Sequence, residues 1–80
     1  MKTTPTVSRP GQRPTLEEAQ RAVGGYVELV ELADGSQLLI DEEGLLKQKP
    51  VNGEATRLTG GLHYIVGDVL HLVGEARWLD

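Results

Sequence analysis

The chain has 80 residues, with 8 lysines and arginines against 12 aspartates and glutamates, a formal net charge of -4 and 39% hydrophobic residues. So short a chain makes one domain with a thin core. Without a cysteine it holds no disulfide, no thiolate metal site and no cysteine nucleophile.

No apolar run is long enough to cross a bilayer, and the N-terminus lacks the apolar stretch of a secretory leader, so a reduced, cytoplasmic setting is expected.

Charge is unevenly placed along the chain. Residues 1–14 contain Lys2, Arg9 and Arg13 and no acid, a local charge of +3. The remaining 5 bases and all 12 acids fall in residues 15–80, a charge of −7. Pro5, Pro10 and Pro14 break up the first stretch, which lacks apolar periodicity. Residues 1–14 are therefore expected to form a disordered basic arm. The arm reads either as a contact to nucleic acid or an acidic partner, or as a solubilising leader. Residues 15–80 are expected to form a single domain.

The first folded element starts at Thr15. Thr15-Leu16-Glu17-Glu18 has the capping-box pattern, and both glutamates suit the positive end of a helix dipole. Leu16, Ala19, Ala22 and Val23 fall on one helical face. Gly24-Gly25 stops the helix after about two turns. A helix this short must dock on something to persist.

Tyr26 to Leu32 is rich in strand formers. Asp34-Gly35 is a two-residue hairpin signal, and Gln37 to Asp41 reads as the return strand. That turn pairs Val30 with Leu39 and Leu29 with Ile40. It also sets Glu28 opposite Asp41, an unfavourable like-charge pair. Glu42-Glu43-Gly44 is a second turn, and Leu45-Leu46 a short strand or bend. Asn52 caps a helical turn over 53–58, and Gly60-Gly61 is a hinge. Leu62–Val66 and Val69–Val73 flank Gly67-Asp68 as a second hairpin, with Tyr64 facing His71. Ala76 to Leu79 adds an edge strand, with Trp78 folded back on the core. The expected fold is α+β: a short N-terminal helix packed on a curved antiparallel sheet of about four or five strands, able to close partly into a barrel.

Few residues could carry chemistry. His63 and His71 point to opposite faces in this register and would not share a metal, and a structural Tyr64–His71 pair accounts for the second. The densest charge is Glu28, Asp41, Glu42 and Glu43. It reads as a solvated turn, as a divalent-cation site, or as a protein-binding surface that mimics nucleic-acid charge. The spacing is not that of a calcium loop. Neither glycine pair has the lysine and hydroxyl residue of a phosphate loop, and Gly24-Gly25 lies at the wrong helix end for one. Ser8 and Ser36 have no nucleophile-elbow context. Catalysis is disfavoured, no cofactor or metal is expected, and the acidic body disfavours direct nucleic-acid binding.

Four short motifs occur in order. They are Val23-Gly24-Gly25-Tyr26-Val27-Glu28, then Asp41-Glu42-Glu43-Gly44, then Asn52 with Ala55-Thr56, then Ile65-Val66-Gly67-Asp68-Val69-Leu70. This pattern resembles a small domain family of unknown function common in phages and mobile elements, over about residues 15–74. The family carries no agreed activity, so no catalytic residue transfers. The resemblance implies a phage or mobile-element source, and proteins from such sources often act stoichiometrically on host machinery.

The expectation that follows is a non-enzymatic protein in the host bacterium's cytoplasm that antagonises a host defence complex, in the manner of an anti-CRISPR. Its partner would be a protein or protein–RNA complex, with Glu28, Asp41, Glu42 and Glu43 set in a basic channel. The alternative is an oligomeric sponge for a host nucleotide signal. That would place phosphates on Lys47, Lys49 and Arg57 and stack a base on Tyr26 or Tyr64. A third class is an accessory or structural phage protein. Exposed edge strands also favour a homodimer.

Overall fold

A computed structural model describes residues 4–79. Lys2, counted in the basic arm, lies outside the described residues. The helix begins as the capping box requires: Thr15 Oγ1 accepts the Glu18 amide at 3.1 Å, and Glu18 Oε1 accepts the Thr15 amide at 2.8 Å. It runs over Leu16–Val23 (α1) and closes on Gly24. Only Ala19 and Val23 of its expected apolar face are buried; Leu16 and Ala22 are exposed.

Val27–Glu31 (β2) and Gln37–Asp41 (β3) form the expected hairpin, one residue out of the expected register. Val30 pairs with Leu38, Leu29 with Leu39 and Glu28 with Ile40. The cause is a three-residue connection, Ala33-Asp34-Gly35. The Leu32 amide donates to the Ser36 carbonyl at 2.9 Å, and the Gly35 amide to the Leu32 carbonyl at 3.0 Å. Gly35 sits at φ 88°, the left-handed bulge position such a loop needs. Asp34 Oδ1 holds the turn by accepting the Ser36 amide. The shift takes Asp41 away from Glu28 and sets it opposite Val27, so the like-charge conflict disappears.

Residues 42–48 are turns, with Leu45 and Leu46 exposed rather than in a strand. Asn52 caps Gly53–Leu58 (α2) by accepting the Ala55 amide at 3.0 Å. The expected second hairpin does not form. Leu62–Val66 makes only an isolated bridge between Val66 and Val51. Its backbone is spent elsewhere: the Ile65 carbonyl accepts the Asn52 amide at 2.8 Å, and the Ile65 amide donates to Thr56 Oγ1 at 3.1 Å. Ile65 thereby enters the core, and Val69–Leu72 (β4) pairs with β3.

The other neighbour of β4 comes from the stretch read as a free arm. Val7–Ser8 (β1) runs parallel to β4, with Val7 against Val69 and Ser8 against Leu70. Asp68 Oδ1 anchors it by accepting the Thr6 amide at 2.9 Å. The sheet order is β1-β4-β3-β2, so the sheet is mixed and open rather than a closing antiparallel barrel. The molecule is a small α+β domain.

Each sheet face carries its own core. Ala19 of α1 packs with Leu39, Leu70, Leu72 and Ala76 on one face, with Trp78 against them. Val30, Leu32, Leu38, Ile65 and Val69 pack with Ala55 of α2 on the other. The expected final edge strand over Ala76 to Leu79 does not form: a 3-10 turn over Gly74–Ala76 leads into irregular chain at 77–79. Trp78 does fold back: its Nε1 donates to the Pro14 carbonyl at 3.0 Å, and its amide donates to Gln37 Oε1 at 2.6 Å.

Candidate functional site

The acidic residues separate into one buried anchor and an exposed set. Asp41 is 4% exposed. Its Oδ2 lies 2.8 Å from Lys47 Nζ and 2.7 Å from Lys49 Nζ, while Oδ1 accepts the Glu43 amide at 2.9 Å. Burial alone would raise its pKa; the hydrogen bonds from Lys47, Lys49 and the Glu43 amide outweigh this and bring it down to about 2. The same lysines donate to the last carbonyls of α1, Lys47 to Gly24 at 2.9 Å and Lys49 to Val23 at 2.6 Å. Cations suit this helix end. Asp41 is thus a structural ion-pair centre that clamps the loop onto α1, and it is not available to a partner.

Glu28, Glu42 and Glu43 remain exposed. Glu28 and Glu42 rim a groove of about 180 Å³ whose apolar lining includes Val30, Ile40, Leu45 and Ile65. His63 and Tyr64 line the same groove. The strand reading had set these two on opposite faces; the irregular path of 62–66 brings them to one side. Glu43 lies apart, in a pocket with Gln20, Tyr26 and Lys47. No ion pair involves Glu28, Glu31, Glu42 or Glu43 among the described residues.

The bases are consumed to a greater degree. Arg9 pairs with Glu54 at 2.8 Å, Arg13 donates to the Arg77 carbonyl, and Arg77 donates to the Gly35 and Gly74 carbonyls. With Lys47 and Lys49 held by Asp41, Arg21 and Arg57 are the bases without a hydrogen bond or ion pair among the described residues. What the fold leaves unpaired is predominantly negative. Spacing along the sequence could not reveal this, because each pairing depends on the tertiary path.

The residues of the nucleotide alternative are spread out. Tyr26 and Lys47 line one pocket, Tyr64 lines the groove, and Arg57 lies on α2. The ammonium groups of Lys47 and Lys49 already serve Asp41 and the end of α1.

His71 does not face Tyr64. It pairs with Leu38 across the sheet and is 7% exposed, whereas Tyr64 is 63% exposed. His71 Nε2 lies 2.9 Å from Ser36 Oγ, and the Ser36 hydroxyl donates to Asp34 Oδ1. Since that one hydroxyl proton is committed to Asp34, Nε2–H is the donor to Ser36. Nδ1 is buried without a partner. Burial first, and then the Arg9 charge, lower the His71 pKa; Asp34 opposes this. The relay runs from histidine to serine to aspartate, so Ser36 donates away from the imidazole and is not activated as a nucleophile. No group of three or more metal-ligating His, Asp or Glu side chains occurs among the described residues.

A mixed four-stranded sheet with a helix on each face and an acid-rimmed groove defines a small α+β domain without a fold-wide signature of its own. The chain belongs to the family described as a domain of unknown function, DUF3846, whose model matches residues 2–77. The match includes the β1 segment, beyond the span over which the motifs carried the resemblance. No curated protein and no solved structure matches the chain. No helix among the described residues is long and apolar enough to cross a membrane.

Proposed function

We propose that this protein is a non-enzymatic antagonist of a host defence complex, encoded by a phage or mobile element. It acts by seating an acidic face in a basic nucleic-acid-binding site of its partner, a protein or protein–RNA complex, in the host cytoplasm. The observation that carries this reading is the asymmetry of unpaired charge. Glu28, Glu42 and Glu43 are exposed without cations, while most described bases are held in internal contacts. Such a face steers toward a positive channel and resists nucleic acid itself. The phage or mobile-element source comes from the motif resemblance.

Asp41 drops out of the interface, because its carboxylate is occupied by two lysines. The test is the triple variant Glu28→Lys, Glu42→Lys, Glu43→Lys, with Asp41 intact. Captured by pull-down from a bacterial lysate, the wild-type protein should retain a partner with a basic nucleic-acid site, and added DNA should compete. The triple variant should lose that partner while keeping its circular dichroism spectrum. Equal retention by the variant refutes the acidic face as the interface.

A further inference from the structure

The face carrying Glu28 also has an open sheet edge. β2 is the outermost strand. The Glu42 amide donates to the Tyr26 carbonyl at 2.8 Å, and the Leu32 amide to the Ser36 carbonyl at 2.9 Å. Hydrogen-bonded pairs alternate along an antiparallel ladder, so Tyr26, Glu28, Val30 and Leu32 bond inward to β3. Val27, Leu29 and Glu31 therefore turn their amides and carbonyls outward, where no partner meets them among the described residues. Natural edges are commonly blunted with charged side chains, proline or a bulge. This one has neither proline nor a bulge, and its charges, Glu28 and Glu31, are both acidic and exposed, so they repel another acidic edge and leave this one open to a basic strand. Beside it lies an apolar groove of about 460 Å³, lined by Leu16, Leu29, Trp78 and Leu79 together with Pro14 and Arg13.

We infer that the partner engages this protein by adding an extended, basic segment as a fifth strand on β2. The inference rests on the acidic-face reading and specifies how that face is used. Backbone bonds to Val27, Leu29 and Glu31 supply the pairing, and alternate side chains supply the selectivity. Side chains of the added strand alternate between faces, one set passing Glu28 and the other Leu29 and Glu31. Lysine or arginine beside each glutamate, with an apolar residue near Leu29, completes the charge pattern. A second copy of the chain fits less well. Each antiparallel register that uses at least two of the outward residues brings Glu28 or Glu31 opposite or diagonal to its own copy, with no cation between.

The probe is a synthetic peptide, Val-Lys-Val-Val-Lys-Val, whose lysines stand three positions apart so that one meets Glu28, the other Glu31, and a valine falls near Leu29. Its controls are the same peptide with glutamate in place of both lysines, and the lysine–valine peptide N-methylated along its pairing edge, which keeps the charge but removes the backbone donors. The lysine–valine peptide should slow hydrogen exchange at the Val27, Leu29 and Glu31 amides and perturb Trp78 fluorescence. The N-methylated peptide should bind at least about tenfold more weakly. The variant Glu28→Lys, Glu31→Lys should weaken the lysine peptide by about tenfold, the scale expected for reversing two exposed charges. It should also prefer the acidic peptide.

If the N-methylated peptide binds as tightly as its parent while the variant still loses affinity, strand addition is wrong and the acidic face survives. If the lysine–valine peptide leaves the three amides unprotected, strand addition is wrong. If those amides are protected without peptide and light scattering gives a dimer mass, a second copy is the occupant and the inference fails.

Discussion

Lys49 Nζ sits 2.7 Å from Asp41 Oδ2 and 2.6 Å from the Val23 carbonyl, so a single ammonium joins the end of β3 to the end of α1. With Lys47 it sets two ammonium groups around a carboxylate whose side chain is fully buried. Asp41→Asn removes the charge and leaves two lysines crowded at one site. Breaking a buried pair costs about 3–5 kcal/mol, and the lysines here are partly exposed, so a loss near about 3 kcal/mol is expected. Urea denaturation of the variant measures it; a change below about 1 kcal/mol would show that the cluster is merely a solvated surface pair.

Gly25 stands against this cluster. A Cβ placed there would come within 2.7 Å of Asp41 Oδ1 and 2.5 Å of Lys47 Nζ. Lys47 can swing aside, but Asp41 is fixed by the Glu43 amide and Lys49. Gly25→Ala should therefore cost about 1–3 kcal/mol, as overpacking does. It should cost much less in the Asp41→Asn background, if loss of the ion pairs frees that side chain. A double-mutant cycle gives the coupling.

Stability should fall in two stages as pH is lowered. The His71 pKa in the fold lies below its ordinary 6.5, because burial and Arg9 disfavour the imidazolium. The unfolded chain binds that proton more readily, so stability is full above about 6.5 and declines as pH drops toward the lower folded value. Asp41 acts further down. Its folded value is about 2 against 3.8 when free, so its contribution holds above 3.8 and is lost as pH approaches about 2. Trp78, the single tryptophan, reports unfolding at each pH. His71→Gln should abolish the upper stage and leave the lower one.

Asn52 is a junction as well as a cap. Its Nδ2 donates to the Thr6 carbonyl at 3.0 Å and the Gly67 carbonyl at 2.9 Å, while Oδ1 accepts the Ala55 amide. An ordinary N-cap is worth about 1 kcal/mol. Here the buried Gly67 carbonyl would also lose this donor, while the Thr6 carbonyl keeps the Val69 amide, so Asn52→Ala should cost about 2–3 kcal/mol. Asn52→Asp keeps the cap acceptor but sets a carboxylate against those carbonyls, and should cost at least as much by thermal denaturation. Thr15→Ala, at an exposed cap, should cost only about 1 kcal/mol.

Local chemistry made part of this fold legible in the sequence. Thr15 with Glu18, Gly24 and Asn52 act within a few residues, and each does what its pattern indicates. Asp34-Gly35 marked the hairpin correctly but not its register. The same pair serves a two-residue turn or a three-residue loop with a bulge, and the choice falls to packing of Val30 and Leu38. Residues 62–66 alternate like a strand, yet Thr56 and Asn52 claim the backbone of Ile65. β1 is two residues long and its partner is distant, so no periodicity betrays it. At the candidate site, the acids were visible as a cluster. That Asp41 turns inward was not, because its lysines lie beyond the turn that follows it.

The parallel pairing of β1 with β4 has a kinetic consequence. Thr6 and Asp68, which anchor that pairing, are 62 residues apart in the chain. The hairpin of β2 and β3 can close early over a short loop, but β1 can gain no sheet partner until β4 is in place. Long-range closure of this kind is slow relative to local pairing. During synthesis the opening segment must therefore wait, unpaired, for the last strand of its sheet to be made. β1 takes its place in the sheet last, after the three strands that follow it in the chain have been made.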